Sequence, residues 1–251
     1  MRHHSLNRLV TKLDSIISLS DAERTAILDL PIRVRDLAAD QDIVREGDRP
    51  SQCCLVVEGF LCRYKTLPNG SRTIMAFYVP GDIPDVHSLH IELMDHTLGT
   101  VTPSKVGFIP HEDMRRLTHQ HPHIADAFWR ETLIDAAIFR EWIVNLGSRE
   151  AYSRIAHLFC EIFLKLKAVG LTHGHSFDFP VTQAKIADAT GLSDVHVNRS
   201  LMKLRADGLI AIERGRCTIP DMGRLEEAAM FDSTYLHLKE LAPSPARVAA
   251  Q

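Results

Sequence analysis

The chain has 251 residues, of which 45% are hydrophobic and 24% charged, enough apolar material for a core and too much for disorder as the main state. Its 29 Lys and Arg against 32 Asp and Glu leave a net charge of −3, which excludes a general polycation coating nucleic acid or acidic membrane and makes any basic surface local. No run approaches the roughly 18 apolar residues that a bilayer-spanning helix requires, and none of the five cysteines (Cys53, Cys54, Cys62, Cys160, Cys217) forms a Cys-x-x-Cys pair. A chain without a membrane partner, kept in a reducing cytoplasm, is the expectation.

Residues 1–30 predict a helical lead-in. Leu6, Leu9, Val10, Leu13, Ile16 and Ile17 recur at helical spacing, and Ser20-Asp21-Ala22-Glu23 reads as a capping box that opens a second short helix. Over residues 31–120 the pattern changes to short β-type runs between turns at Glu46-Gly47-Asp48, Glu58-Gly59, Pro68-Asn69-Gly70 and Pro80-Gly81-Asp82. Turns spaced this closely predict an antiparallel β-roll, with its clearest hairpin running from Phe60 to Tyr64, through Asn69-Gly70, to Thr73 and onward to Val79. Cys53 and Cys54 are adjacent, so on a strand they point to opposite faces.

Residues 121–147 predict one long helix. Fifteen of the 23 residues from Ile124 to Leu146 are apolar, more than one buried stripe needs, so the helix must be covered on more than one side. A second copy of the chain is the economical cover, which makes Phe128, Ile134, Ile138 and Trp142 the expected dimerisation residues. A further helix over 150–169 leads to the polar segment 170–175, whose two glycines predict a linker near a domain boundary.

From Val181 to Arg205 the sequence predicts helix, turn, helix: Thr182 caps the first helix, Gly191 ends it in the left-handed conformation, and Ser193 caps the second. In the second helix Val197, Leu201 and Leu204 share the inner face, leaving Val195, Arg199, Met202, Lys203 and Ala206 outward. An outward Arg199 can present its planar fork to guanine O6 and N7, with Val195 against a thymine methyl and His196 and Asn198 flanking them. Thr182, Gln183 and Ser193 stand at helix N-termini suited to phosphate, and Lys203 adds a backbone contact. Asp207 to Ile219 then reads as two short strands around Gly215, a wing. Between residues 181 and 220 six basic residues face four acidic ones, so this part is mildly basic within an acidic whole. Residues 148–251 thus form a winged helix-turn-helix unit, and the fold class is α+β: an N-terminal antiparallel β-roll, a long dimerisation helix and a C-terminal winged helix-turn-helix.

Asp42-Ile43-Val44-Arg45-Glu46-Gly47-Asp48, Leu55-Val56-Val57-Glu58-Gly59 and Phe77-Tyr78-Val79-Pro80-Gly81-Asp82, with Gly191-Leu192-Ser193 and Val197-Asn198-Arg199, resemble the motifs of the bacterial Crp/Fnr family of transcription regulators over nearly the whole chain. The resemblance implies a cyclic-nucleotide-binding-like jelly roll and a homodimer on a two-fold double-stranded DNA site that recruits or blocks RNA polymerase, with Arg199 at the family's base-reading arginine. The sequence departs from the cyclic-nucleotide-binding members in having Gly81-Asp82 for Gly-Glu and Leu93-Met94-Asp95-His96-Thr97 where an arginine would meet the phosphate. Asp95 would repel that phosphate, so cyclic AMP is not expected, and no cysteine precedes Cys53 to hold an iron–sulfur cluster. Val195 stands where the family often has a base-reading glutamate.

Gly81, Asp82, His87, His90 and His96 mark a possible effector pocket. The alternative to a plain DNA-binding regulator is therefore a sensor that binds a small molecule, haem or metal in the roll and DNA only conditionally. The spacing of these histidines is equally that of solvated or hydrogen-bonded loop residues, so neither metal nor cofactor is assigned. No Gly-rich phosphate loop, Gly-x-Ser-x-Gly elbow or His-Glu-x-x-His motif occurs, so no enzyme is expected.

Overall fold

A computed structural model describes residues 2–239, so the end of the C-terminal unit expected to reach residue 251 lies outside the described residues. The lead-in forms α1 (Arg2–Asp14) and α2 (Asp21–Leu28), and the capping box is present: Ser20 Oγ accepts from the Glu23 amide while the Ser20 amide donates to Glu23 Oε2 at 2.7 Å. Leu6, Leu9 and Leu13 are buried, which places α1 as a lid on the outer face of the roll.

The roll consists of β1 (Arg33–Leu37), β2 (Asp42–Val44), β3 (Gln52–Glu58), β4 (Leu61–Thr66), β5 (Arg72–Tyr78), β6 (Thr97–Thr100) and β7 (Ser104–Pro110). They pair antiparallel in two sheets, ordered β1-β7-β3 and β2-β6-β4-β5. Strand alternation sorts the side chains: Cys54, Val56 and Val106 of the first sheet meet Leu61, Ala76, Tyr78 and Leu98 of the second in an inner core. Cys53, Leu55 and Val57 point the other way, into the core shared with the helices, so the two adjacent cysteines do face apart. All five cysteines are free and buried, and burial pushes the Cys62 thiol up to about 11 and that of Cys217 to about 12.

After β7 the chain forms α3 (His111–Gln120), which the sequence reading did not include, and then α4 (Pro122–Ser148), opened by Pro122 at its first turn. At 27 residues and about 1.5 Å rise per residue, α4 runs about 40 Å along the molecule. The four residues expected at a dimer interface instead pack inward: Phe128, Ile134, Ile138 and Trp142 are 4–6% exposed and belong to the chain's own core. They are the residues that face the roll and the next helix, and Trp142 donates its indole N–H to the carboxylate of Glu161 at 3.0 and 3.2 Å. The apolar residues left in solvent are Trp129, Leu133, Ile143 and Val144.

The C-terminal unit comprises α5 (Ala151–Ala168), β8 (Thr172–His173), β9 (Ser176–Asp178), α6 (Gln183–Thr190), α7 (Asp194–Ala206), β10 (Ala211–Glu213), β11 (Arg216–Thr218) and α8 (Met222–Ala229). The segment read as a linker is instead the β8–β9 hairpin, with Gly174 at φ +61° in its turn. Its strands complete a four-stranded sheet ordered β10-β11-β9-β8. Two-residue strands carry no alternation of their own; β9 is fixed by β11, about 40 residues downstream, which a local reading does not see.

Candidate nucleic-acid interface

Helix α7 is built as its residue types require. Thr182 Oγ1 accepts from the Lys185 amide at the start of α6, Gly191 turns the chain at φ +64°, and Ser193 Oγ accepts from the His196 amide at the start of α7. Val197, Leu201 and Leu204 are 0–2% exposed and seat α7 on the domain core. Val195 and Met202 are 66% and 63% exposed, and Asn198 and Arg199 are exposed beside them. Arg199 has no hydrogen-bond or ion-pair partner among the described residues, so its full set of donors is free at the outer face.

The other candidates are less free. The Ser193 hydroxyl, already a cap, also lies 2.9 Å from His196 Nδ1, so what this turn can offer an anion is mainly backbone N–H. Lys203 pairs with Asp207 at 2.7 Å and lies 4.5 Å above the Tyr152 ring, which holds it along the side of α7. Thr182 and Gln183 are exposed at the N-terminus of α6. In the wing, Arg216 is paired with Asp178, while Arg214 occupies the turn at φ +49° and is exposed.

The residues expected to form an effector pocket divide into two groups, Gly81 and Asp82 against α1 and the three histidines around the turn at 86–89. Asp82 is a structural anchor: it pairs with Lys12 of α1 at 2.9 Å and with Lys165 of α5 at 3.4 Å, and it accepts from the Val79 amide. Burial alone would raise the Asp82 carboxyl, but the two ammonium groups hold it below its ordinary value. Gly81, at φ +103°, lets α1 approach; a Cβ there would stand 2.7 Å from Arg8 O and 2.8 Å from Lys12 Cβ. His96 is buried with Nδ1 on Asp95, and His87 lies 5.2 Å from it between ring centres, pushed down to about 4 by burial and then by the nearby Arg63. His90 is exposed and, with His87, lines a cleft of about 550 Å³ between the turn at 86–89, α3 and α4. Among the described residues no three His, Cys, Asp or Glu side chains gather as metal ligands, so His87, His90 and His96 do not form a coordination set.

What fills the space between roll and α4 is a residue the sequence reading passed over. Arg63 of β4 is 4% exposed, donates to Asp135 of α4 at 2.7 Å and to Pro84 O at 2.5 Å, and lies over the rings of Tyr78 and Phe139 at 5.2 and 5.1 Å. A second buried cluster marks the junction of α4 and α5. There Arg149 binds Glu141 at 2.7 Å and the carbonyls of Ala229 and Met230, while His157 stacks on Tyr235.

Comparison with known proteins fits this geometry. The family described as the cyclic nucleotide-binding domain matches residues 34–121, and the Crp-like helix-turn-helix domain matches residues 153–228. Over 224 residues the chain is 29% identical to the transcriptional activator protein FnrL of Cereibacter sphaeroides, covering 87% of this chain and 89% of that one. It is 28% identical over 216 residues to the nitrogen fixation regulation protein FixK of Bradyrhizobium diazoefficiens, with 84% and 88% covered. Among solved structures, FixK2 from Bradyrhizobium japonicum superposes with a TM-score of 0.72 at 20% identity, over 79% of this chain and 98% of that one.

Proposed function

We propose that this chain, which belongs to the Crp/Fnr family of transcription regulators and is a DNA-binding regulator, acts in the cytoplasm as a homodimer that reads a two-fold duplex site with α7 and there meets RNA polymerase. The observation that carries the reading is Arg199, exposed and unpaired on the outward face of a helix whose inward face is fully buried. Arg199 reads a guanine, Val195 packs on a thymine methyl, Asn198 and His196 flank them, and Thr182, Gln183 and the turn before α7 hold phosphates. Lys203 adds charge near the backbone once it leaves Asp207.

Dimerisation is supported by α4. Trp129, Leu133, Ala136, Arg140, Ile143 and Gly147 follow one another at alternating steps of four and three residues, the 3.5-residue period of a two-helix seam, and none of them is buried in the chain's own core. Two such helices would set the two recognition helices about 34 Å apart, one turn of duplex.

No cyclic nucleotide, metal or other cofactor takes part in this reading. The acidic Asp95 beside His96 and the Arg63–Asp135 pair between roll and α4 support a regulator competent without a roll-bound effector. The second reading, a sensor with conditional DNA binding, has the cleft beside His87 and His90 in its favour. Selection from random duplex DNA by the purified ligand-free protein separates them. Enrichment of a palindrome, lost in Arg199→Ala, supports the first reading; no enrichment supports the second.

A further inference from the structure

The DNA-reading domain is tied to the roll of its own chain at two points of opposite polarity. Lys185 on α6 reaches Asp40, in the turn between β1 and β2, while Arg72 at the start of β5 places Nε and Nη2 each 2.8 Å from Asp188 Oδ2 on α6. The Lys185 side chain is 6% exposed, and Asp40 is its ion-pair partner. The roll side is rigid: the Asp40 amide donates to Thr100 O at 3.2 Å, and Arg72 lies 5.2 Å over the ring of Tyr64, whose hydroxyl donates to Asp42.

The polarity fixes the docking. With acid on the roll facing base on α6 at one point, and base facing acid one turn further along α6, a slip of α6 by a turn would set like charges against each other. The docked position also leaves the outer face of α7 open, with Val195, Arg199 and Met202 all exposed.

We propose that Asp40–Lys185 and Arg72–Asp188 form a two-point charge latch that holds the reading domain on its own roll in the orientation competent for DNA. The inference rests on the DNA-reading function above and adds a second route from roll to recognition helix, through α6 as well as along α4. Opening the latch frees the domain to swivel, and DNA binding must then select the docked fraction. If one chain in ten stays docked, the apparent Kd rises about tenfold.

The test uses the full chain. Spin labels at Asn69→Cys on the roll hairpin and Glu227→Cys on α8 report the distance between roll and reading domain, and titration of unlabelled protein with the selected duplex reports affinity. Arg72→Asp is expected to broaden the distance distribution and weaken binding about tenfold, with both effects reversed by adding Asp188→Arg. Asp40→Asn, which suits the left-handed backbone at that position (φ +59°), should act in the same direction without charge reversal. Arg199→Ala should lose binding while the distance stays as in wild type, which separates failure of the reading from failure of the latch. An unchanged distance in Arg72→Asp and Asp40→Asn overturns the latch. A broadened distance with unchanged or tighter binding overturns its competent sense, and wild type that binds no duplex removes the function on which the proposal rests.

Discussion

Arg63 and Asp135 join the β-roll to the long helix, with Nη1 2.7 Å from Oδ2 and the guanidinium over the rings of Tyr78 and Phe139. Asp135→Ala leaves the arginine charged, buried and without its carboxylate, which should destabilise the fold by about 3–5 kcal/mol. Replacing both partners, as Arg63→Met with Asp135→Leu, should recover most of that loss, because an apolar pair has no charge to desolvate. Denaturant unfolding of the single and double variants checks the cycle.

The two faces of α4 should separate by phenotype. Ile134→Ala removes buried side-chain volume and should cost about 2–5 kcal/mol of stability. Leu133→Asp, one residue earlier but 51% exposed, should leave the monomer folded and shift sedimentation from dimer to monomer. A dimer that survives both Leu133→Asp and Ile143→Asp would place the interface elsewhere.

Asp82 ties α1, the roll and α5 together through Lys12 and Lys165. Asp82→Ala leaves Lys12 with only Glu131 at 3.1 Å and Lys165 with only Phe77 O at 2.6 Å, so about 1.5–3 kcal/mol of stability should be lost. An effector-contacting residue would lower ligand response with little loss of stability, and thermal unfolding distinguishes the two roles.

His157 sets a pH dependence. Burial, with Arg149 nearby, pushes its imidazole down to about 3 from an ordinary 6.5. Between those values the unfolded chain binds the proton and the folded chain does not, so this contribution to stability is intact above pH 6.5 and is lost as the pH falls toward 3. One proton gives a slope of about 1.4 kcal/mol per pH unit. The stability difference between wild type and His157→Phe, measured from pH 7.5 to 4.5, should therefore move in favour of the variant as the solution is acidified.

The DNA-reading unit was legible because its determinants are local: Thr182, Gly191 and Ser193 act within four residues of themselves, and the buried face of α7 follows helical spacing. The roll hairpin and the opposed Cys53 and Cys54 were legible for the same reason. The contacts that were missed are long-range. Arg63 meets Asp135 across 72 residues and Lys185 meets Asp40 across 145, and nothing near either residue distinguishes it from a solvated charge. Phe128, Ile134, Ile138 and Trp142 lie in the chain's own core because α4 is apolar on two faces, and composition alone does not say which face the roll covers. Helix α3 was passed over because its apolar residues are few, Met114 and Leu117 being the two that it buries along with His111.

If α7 reads bases through Arg199, that side chain is energetically coupled to one base atom, and a cycle between the two measures the coupling. In the selected duplex, each guanine of a half-site is replaced in turn by 7-deazaguanine, which lacks N7, and binding of wild type and Arg199→Ala is titrated at fixed salt. At one guanine, loss of N7 should cost wild type about 1–3 kcal/mol and cost Arg199→Ala almost nothing. An equal loss in both proteins at every guanine would mean that Arg199 does not read a guanine.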